Sequence, residues 1–422
     1  MFLVFIMLLT WLVLAVFAEA IASAFKNNPK AVLPVNIEII IAIIIGYFIY
    51  KKKFDALIPS VIALAVLYLF VWIGTYNPID LKDLGFNNDT TIKNTWILIL
   101  FVYSGIASLI PVWILLQPRD YINSHQLIVG LGLIFLSIFI IQPEITIPAI
   151  DHLNDKEHSI IPFLFVTIAC GAISGFHGLV SSGTTSKQVS QMKDARMIGY
   201  GATLGEGSLA LAAIIAAAAG YAMHEHGFHG HTSFPDKGTA IGTFINGGAA
   251  LLEQISLSKD LAKNLMVVLV VSFAATTLDS ATRIQRYIIT EFATATKINF
   301  LKNKYLATFI SIIPAYFIAT NDGIRKELWQ TFGASNQMLA ALTLMIISIY
   351  FWKKKKNIIP LLVPMIIIMV ITIWALIIKF KTADTPLLTI INGTLILLIL
   401  WMIIEGCIYC FKNYKNIKIS NE

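Results

Sequence analysis

Charge is scarce in this sequence. Only 13% of its 422 residues are Asp, Glu, Lys or Arg, whereas 57% are hydrophobic. A soluble globule of this composition would be covered with apolar surface, so the chain is expected to lie in lipid. Long polar and low-complexity segments are also missing. The sequence therefore predicts a single transmembrane domain over residues 1–422 rather than a soluble domain with an anchor.

Other features that the sequence lacks exclude further classes. Its three cysteines lie in apolar stretches, which predicts neither a disulfide framework nor a thioredoxin-like motif. There is no HExxH, no GxSxG and no pair of catalytic carboxylates, so we expect neither an enzyme nor a bound cofactor. No basic residue precedes the first apolar stretch, which favours an uncleaved first span over a signal peptide.

Apolar stretches recur along the whole chain, and each is long enough to cross a hydrocarbon core of about 30 Å as a helix. They predict an all-α, polytopic transmembrane helical bundle with about twelve spans. The spans are expected near 2–25, 35–50, 56–74, 95–117, 125–142, 160–182, 199–223, 261–282, 303–320, 328–352, 357–378 and 386–411. The Gly-rich stretch 238–256 carries Asn246 and Glu253, and it is predicted to be a re-entrant or amphipathic segment packed against protein.

The distribution of basic residues predicts the orientation. With the N-terminus in the cytoplasm, most of the 31 Lys and Arg residues fall in cytoplasmic loops and in the C-terminal tail. This is the bias expected from the positive-inside rule. Both termini are therefore predicted to be cytoplasmic.

Ionisable groups at membrane depth are costly unless they are paired or hydrated, so each is a functional candidate. Four carboxylates lie near the ends of predicted spans, where they are expected to reach the interface: Glu19, Glu38, Glu253 and Glu405. Glu206 and Asp279 lie deeper and are candidates for binding a coupling ion. Thr276 and Thr277 accompany Asp279, and Arg283 follows Asp279 on the same helical face. A structural Asp279–Arg283 ion pair is the alternative interpretation.

The segment 163–188 combines several glycines with a dense group of hydroxyls. Transporters use such weak, broken helices to hold a substrate or an ion near the middle of the membrane. We therefore expect a substrate site here, formed by Gly171, Ser174, Gly175, His177, Ser181, Ser182, Thr184 and Thr185. Close helix packing on the glycines is the alternative explanation.

Two further clusters are candidates for binding. The segment 115–124 is predicted to end a span at Pro118 and to place Arg119 at the inner face, where it either clamps a substrate carboxylate or anchors the topology. Four histidines in the loop 224–231 have a composition that can bind Zn²⁺ or Ni²⁺. A flexible loop without metal is the simpler interpretation, and no metal site is predicted.

Three long segments resemble the carbon starvation protein A family. VWILLQPRDYINS at 112–124 is similar to the family's PVWLLLAPRDYL segment, and the stretches 161–189 and 276–291 resemble two others in the same order. The resemblance is close from about residue 96 to 337 and looser before it, so 1–337 is the family-like core and 338–422 holds C-terminal spans. It implies a proton-coupled importer of peptides or small carboxylates such as pyruvate, in the bacterial inner membrane and active in carbon starvation.

The resemblance also implies a leucine-transporter-like inverted-repeat fold, with one departure. Family members begin with further spans that carry a Gly-rich AGAGPLVGP break, for which this sequence has no counterpart. Its first 23 residues instead resemble a span well inside the family chain. Three explanations are open: a working shortened variant, a truncated or split-gene subunit without independent transport activity, and a partner for a separately encoded N-terminal portion. No nucleic-acid partner is expected.

Overall fold

The computed structural model describes residues 2–145, 160–168, 171, 173–220, 240–325, 328–383 and 385–419. Every regular element in these ranges is a helix, as predicted. The α-helices are α1 Phe2–Asn27, α2 Val32–Gly46, α3 Leu57–Tyr76, α4 Asp89–Leu109, α5 Leu116–Ile141, α6 Ile160–Thr167, α7 Gly175–Gly183, α8 Asp194–Ile215, α9 Ala240–Gln254, α10 Lys259–Ala295, α11 Lys304–Thr320, α12 Asp322–Arg325, α13 Leu328–Lys353, α14 Ile359–Lys381 and α15 Pro386–Ile419. Short 3-10 turns (Pro29–Ala31, Leu81–Leu84, Thr185–Lys187, Asn299–Lys302) and two π-helical segments (Tyr47–Lys51, Ala216–Gly220) join or extend them.

Ten helices in the described ranges are long and apolar enough to cross a membrane: α1 to α5, α8, α10 and α13 to α15. Each coincides with one of the spans expected from the sequence. The other two expected spans differ from these, because α11 has only 17 residues and the stretch 160–182 is divided between α6 and α7. The chain is therefore a multi-pass, all-helical membrane protein, while the count of twelve crossings stays a prediction.

Helix α9 agrees with the expectation for the Gly-rich stretch 238–256. It has 15 residues, so it is about 22 Å long and too short to cross a core of about 30 Å. Ile245, Leu251 and Leu252 are buried, whereas the end of the helix at Gln254 is exposed. Gly220 of the π-helical segment lies against the backbone of Gly247. This contact favours an amphipathic segment that packs against protein.

The prediction that a span ends at Pro118 is wrong. Helix α4 ends at Leu109, and α5 begins at Leu116, so Pro118 lies in the first turn of a new helix. A proline fits there because the first N–H groups of a helix have no intrahelical partner. The error has a consequence for the site, because Arg119 projects from a helix instead of from the loop after one.

The described contacts divide the chain into two compact units. Unit 1 comprises Met1–Val16, Asn154–Ala195 and Ile284–Glu422, and unit 2 comprises Phe17–Leu153 and Arg196–Arg283. In unit 1, α13 packs against α6, α7, α14 and α15. In unit 2, α2, α3 and α5 pack around a core that includes Ala42, Leu67 and Ile122.

Gly46 and Gly74 allow two further close backbone approaches in unit 2. A Cβ atom on Gly74 of α3 would lie 2.6 Å from the carbonyl oxygen of Lys30, and one on Gly46 of α2 would lie 2.7 Å from that of Ile114. Such distances are shorter than any van der Waals contact, and backbone atoms cannot rotate away as a side chain can. Only glycine therefore allows these segments to pack as they do.

Gly74→Ala is expected to lower the free energy of unfolding by about 1–3 kcal/mol, because the added methyl group forces the backbone at Lys30 away from α3. Gly132→Ala is the matched control, since Gly132 lies in α5 with open space around its Cα, and alanine favours a helix there. Unfolding by denaturing detergent, followed by tryptophan fluorescence, compares the two variants. Equal stability of both would contradict the packing described for Gly74.

Candidate functional site

A buried guanidinium joins three helices of unit 2. Arg119, in the first turn of α5, is only 1% exposed. Its Nε donates to Glu38 Oε1 of α2 at 2.7 Å, and its Nη1 donates to Asp279 Oδ2 of α10 at 2.9 Å. Both carboxylates are fully buried. Removing three charged groups from water is costly, and this arrangement offsets the cost by pairing them directly.

The two carboxylates differ in how completely they are hydrogen-bonded. Glu38 Oε2 accepts a hydrogen bond from the Ser272 hydroxyl, so both of its oxygens are occupied. Asp279 Oδ2 accepts from the Tyr103 hydroxyl at 2.8 Å as well as from Arg119, whereas Asp279 Oδ1 has no partner. Arg119 Nη2 also has none. Unused acceptor and donor atoms therefore remain on Asp279 and Arg119 but not on the Glu38 carboxylate.

The charges around this cluster do not balance. Glu38 and Asp279 share the single guanidinium of Arg119, which leaves one negative charge in excess. Asp120, which follows Arg119, is exposed, and the buried Arg283, one helical turn beyond Asp279, binds backbone carbonyls instead. A buried charge without a counterion is strongly disfavoured, so the cluster is suited to binding a proton or another cation.

Arg283 has a different role from the one that its spacing suggests. Its Nη2 donates to the carbonyl oxygens of Ala107 and Ile110, at 2.8 and 2.5 Å. These carbonyls lie at the C-terminal end of α4, where a cation is favoured by the helix dipole. The alternative of an Asp279–Arg283 ion pair is therefore wrong, because the cation paired with Asp279 is Arg119, which is far away in the sequence.

The interfacial interpretation of Glu38 is also wrong. The span was expected to begin at residue 35, but a 3-10 turn at Pro29–Ala31 continues directly into α2, so Glu38 lies well inside the helical segment. The sequence contained a signal for this, since Glu38 is a single carboxylate within an almost unbroken run of isoleucine and valine. Ser272 and Tyr103 had no such signal and were missed.

The other predicted ion-binding residues lie outside the cluster. The hydroxyls of Thr276 and Thr277 both donate to the carbonyl oxygen of Phe273, within their own helix. Glu206 lies on the exposed helix α8. Of the remaining carboxylates, Glu19 pairs with Lys93, Glu253 is half-buried near the end of α9 and Glu405 is exposed.

The Gly-rich segment of unit 1 is interrupted, as expected, but further towards the N-terminus. Helix α6 ends at Thr167 and α7 begins at Gly175. The buried Asn336 of α13 accepts a hydrogen bond from the Phe176 N–H at 2.8 Å, and its Nδ2 donates to the Ser174 hydroxyl at 3.1 Å. Asn336, which the sequence did not single out, therefore caps the start of α7 from a neighbouring helix.

Glycine in α7 serves close packing at two positions. A Cβ on Gly175 would lie 2.4 Å from the Ala340 nitrogen, and one on Gly178 would lie 2.9 Å from Thr343 Oγ1. Gly171, by contrast, has open space around it. The packing alternative thus accounts for Gly175 and Gly178, but not for Gly171.

The remaining residues of the predicted substrate site follow along α7 and the next turn. His177, Ser181 and Ser182 are exposed, and both serine hydroxyls donate to carbonyl oxygens of α7, while Thr184 and Thr185 are half-buried. All of these residues belong to unit 1, whereas the predicted ligand Arg119 belongs to unit 2. The histidine loop 224–231 lies outside the described residues. Within the part of the chain that the structure describes, no three His, Cys, Asp or Glu side chains are grouped as metal ligands.

Comparisons with known proteins agree with the sequence resemblance. The family model described as "Carbon starvation protein CstA" matches residues 1–229 and 222–375. A peptide transporter CstA of Helicobacter pylori (strain J99) is 28% identical over 429 residues, covering 88% of this chain and 62% of the relative. The peptide transporter CstA of Bacillus subtilis is 28% identical over 383 residues, covering 81% and 63%.

A third relative is named for a different substrate. The pyruvate/proton symporter BtsT of Escherichia coli K12 is 36% identical over 216 residues, covering 49% of this chain and 29% of the symporter. The chain spans about three fifths of the length of the two peptide transporters, at 62% and 63%. No solved structure matches the chain.

Arg119→Met is expected to lower the free energy of unfolding by about 3–5 kcal/mol, because it leaves Glu38 and Asp279 buried without their cation. Asp279→Asn keeps the shape of the side chain and leaves Arg119 paired with Glu38 alone, so it should cost far less. Detergent-induced unfolding of both variants measures the difference. An Asp279→Asn variant as unstable as Arg119→Met would show that the cluster has no excess of negative charge.

Proposed function

Because this chain belongs to the carbon starvation protein CstA family, we propose that it is a proton-coupled secondary transporter that imports short peptides or small carboxylates such as pyruvate during carbon starvation. The observation that carries the proposal is the buried Glu38–Arg119–Asp279 cluster with one carboxylate in excess. A proton-coupled importer needs a protonatable group at membrane depth, and such groups are rarely retained in membrane helices without a function.

In the proposed mechanism, Asp279 and the substrate compete for Arg119. A proton binds to Asp279 Oδ1, the carboxylate oxygen without a partner, and weakens the contact between Asp279 and Nη1 of Arg119. Nη1 then joins the unpartnered Nη2 in binding a substrate carboxylate through two hydrogen bonds. Glu38, both of whose oxygens are already occupied, continues to hold the guanidinium through Nε. Proton and anion thus bind together.

The remaining predictions from the sequence extend this proposal. The Gly-rich break between α6 and α7, with Gly171, Ser174, His177 and the hydroxyls that follow, is a separate candidate for binding the substrate. Glu206, Thr276 and Thr277 are further candidates on the route of the coupling ion. The expected setting is a leucine-transporter-like inverted repeat in the bacterial inner membrane, with both termini in the cytoplasm and most loop Lys and Arg residues on that side.

The test is uptake of labelled pyruvate and dipeptides into proteoliposomes, with and without an inward proton gradient. Asp279→Asn should abolish the acceleration of uptake by the proton gradient, because the side chain at position 279 can no longer take up the proton. It should retain exchange of labelled for unlabelled substrate, because no carboxylate at position 279 then competes with the substrate for Arg119. Arg119→Met should abolish both activities. Glu405→Gln is the control, because it removes an exposed carboxylate from a membrane helix that lies outside the cluster.

Two results would contradict the proposal. The first is an uptake rate that responds to the proton gradient equally in Asp279→Asn and in the unmodified protein. The second is full exchange activity in Arg119→Met, which would show that no substrate carboxylate binds this guanidinium.

The exposure of α8 favours a second candidate, in which the chain is one subunit of a transporter. Residues 195–205 are exposed on every face of this helix, including Met197 at 82% and Tyr200 at 67%. The glycines Gly199, Gly201, Gly205 and Gly207 have no atom near their Cα, although such residues usually allow helices to approach closely. Glu206 adds a carboxylate that lipid disfavours. A separately encoded helix with a small-residue face and a basic group opposite Glu206 would complete this surface.

A photoreactive amino acid at Gly201, with Gly132 as the control, tests this candidate when the chain is expressed with the membrane segments encoded beside it. Gly132 is equally open, but the neighbouring side chains on α5 are large and apolar, so this surface is expected to contact lipid. The subunit hypothesis expects a specific crosslink from Gly201 to the second polypeptide, and transport only when both are present. Transport by the chain alone, with equal crosslinking from both positions, would exclude it.

A further inference from the structure

Beyond the charged cluster, α5 buries two amide side chains that the proposed mechanism does not use. Asn123 is 3% exposed and Gln126 is 1% exposed. They follow Arg119 by four and seven residues, so all three side chains lie on one face of the helix. The polar part of this face extends about 10 Å along α5, from the charged cluster to a position near the middle of the helix.

The hydrogen bonds of both amides are incomplete. Asn123 Nδ2 donates to the Ser272 carbonyl oxygen across a long distance of 3.4 Å, and Asn123 Oδ1 has no partner. Neither Oε1 nor Nε2 of Gln126 has a protein partner. Leaving a buried amide unpaired costs about 1–3 kcal/mol, so buried polar atoms are normally satisfied by protein or by ordered water. Four amide and carboxylate atoms, counting Asp279 Oδ1, are thus buried without a partner.

The same face becomes apolar directly beyond Gln126. The Leu269 side chain of α10 packs on Gly130, where a Cβ would lie 3.1 Å from Leu269 Cδ2. The next residue on the face, Ile134, is fully buried. Buried polar atoms without a protein partner are the groups to which internal water normally binds.

We propose that buried water beside Asn123 and Gln126 hydrogen-bonds to Asp279 Oδ1 and passes the coupling proton to and from this oxygen. The two amides do not ionise, and their part is to orient hydrogen-bonded water along which the proton moves. The charged groups facing the path are those of the cluster and its flanks: Glu38, Arg119, Asp279, Asp120 and Arg283. The role in proton transfer rests on the proposed function, whereas the presence of water does not.

X-ray hydroxyl-radical labelling of the full chain in lipid nanodiscs tests the water directly, because bound water generates radicals that modify adjacent side chains. Ile122 lies one helical turn before Gln126, so it should be labelled although it is fully buried, and Ile134, beyond the dry contact, should not. Gln126→Met, which keeps the size of the side chain but binds no water, should remove the labelling of Ile122. Ser137→Ala is the control, because this buried hydroxyl on the same helix already donates to Leu133.

Transport assays test the relay. Gln126→Met should slow uptake driven by a proton gradient about tenfold, which corresponds to the loss of one well-formed hydrogen bond along the path. Substrate exchange, which moves no net proton, should be unchanged. A variant that merely disturbed the packing of α5 would reduce both activities, so an equal reduction of uptake and exchange would overturn the proposal.

The outcomes separate this inference from the proposed function. Absence of Ile122 labelling in the unmodified protein would overturn the buried water, whatever the transport result. A second combination of results is that Ile122 is labelled, that Gln126→Met removes this labelling, and that uptake does not respond to the proton gradient. It would support the buried water but overturn the relay and the proton coupling. Size-exclusion elution of each variant establishes that it is folded.

Discussion

The arrangement of unit 2 depends on one guanidinium buried between two carboxylates. Arg119 cannot lose its charge, and its 1% exposure leaves it no access to solvent, so Glu38 and Asp279 have to stay close to it. Because these three residues come from α5, α2 and α10, the need to satisfy one cation constrains three membrane helices at once. Ser272 then occupies the second oxygen of Glu38, and Tyr103 adds a further hydrogen bond to Asp279 Oδ2.

The same constraint explains why the cluster is suited to transport and not only to folding. A structural ion pair would be most stable with equal charges and no unused donor or acceptor. Here a carboxylate oxygen of Asp279 and one guanidinium nitrogen remain unpaired, and negative charge is in excess. Protonation of Asp279 removes this excess and, in the proposed mechanism, frees guanidinium N–H groups of Arg119 for an anionic ligand. The polar face continues through Asn123 to Gln126, whose amide groups also have buried atoms without a partner.

Much of the fold was predictable because hydrophobic length alone determines where a helix can cross lipid. Ten expected spans coincide with long apolar helices, and the weak Gly-rich segment is interrupted. Boundaries were less reliable. The sequence 95–117 was interpreted as one apolar stretch, yet α4 ends at Leu109 because Ile110, which precedes Pro111, is extended. Arg283, from a distant part of the chain, then binds carbonyl oxygens at this helix end.

The candidate site was predictable only where local patterns carried the information. Arg119 and Asp279 stood out as charges within apolar sequence, but spacing paired Asp279 with Arg283, its neighbour on the same helix. The true pairing joins residues 160 positions apart and depends on helix packing. Asn336 was missed for the same reason, because a buried asparagine in α13 shows its capping role only once α7 lies against it.

Infrared difference spectroscopy of the reconstituted protein, recorded as the pH is lowered, tests the central claim most directly because it observes carboxyl groups as they take up protons. The account predicts one protonated buried carboxyl band that Asp279→Asn removes and Glu405→Gln leaves in place. Adding pyruvate should increase this band in the unmodified protein, since proton and anion are expected to bind together. A spectrum that Asp279→Asn leaves unchanged would contradict the assignment of the proton to Asp279 and, with it, the proposed coupling.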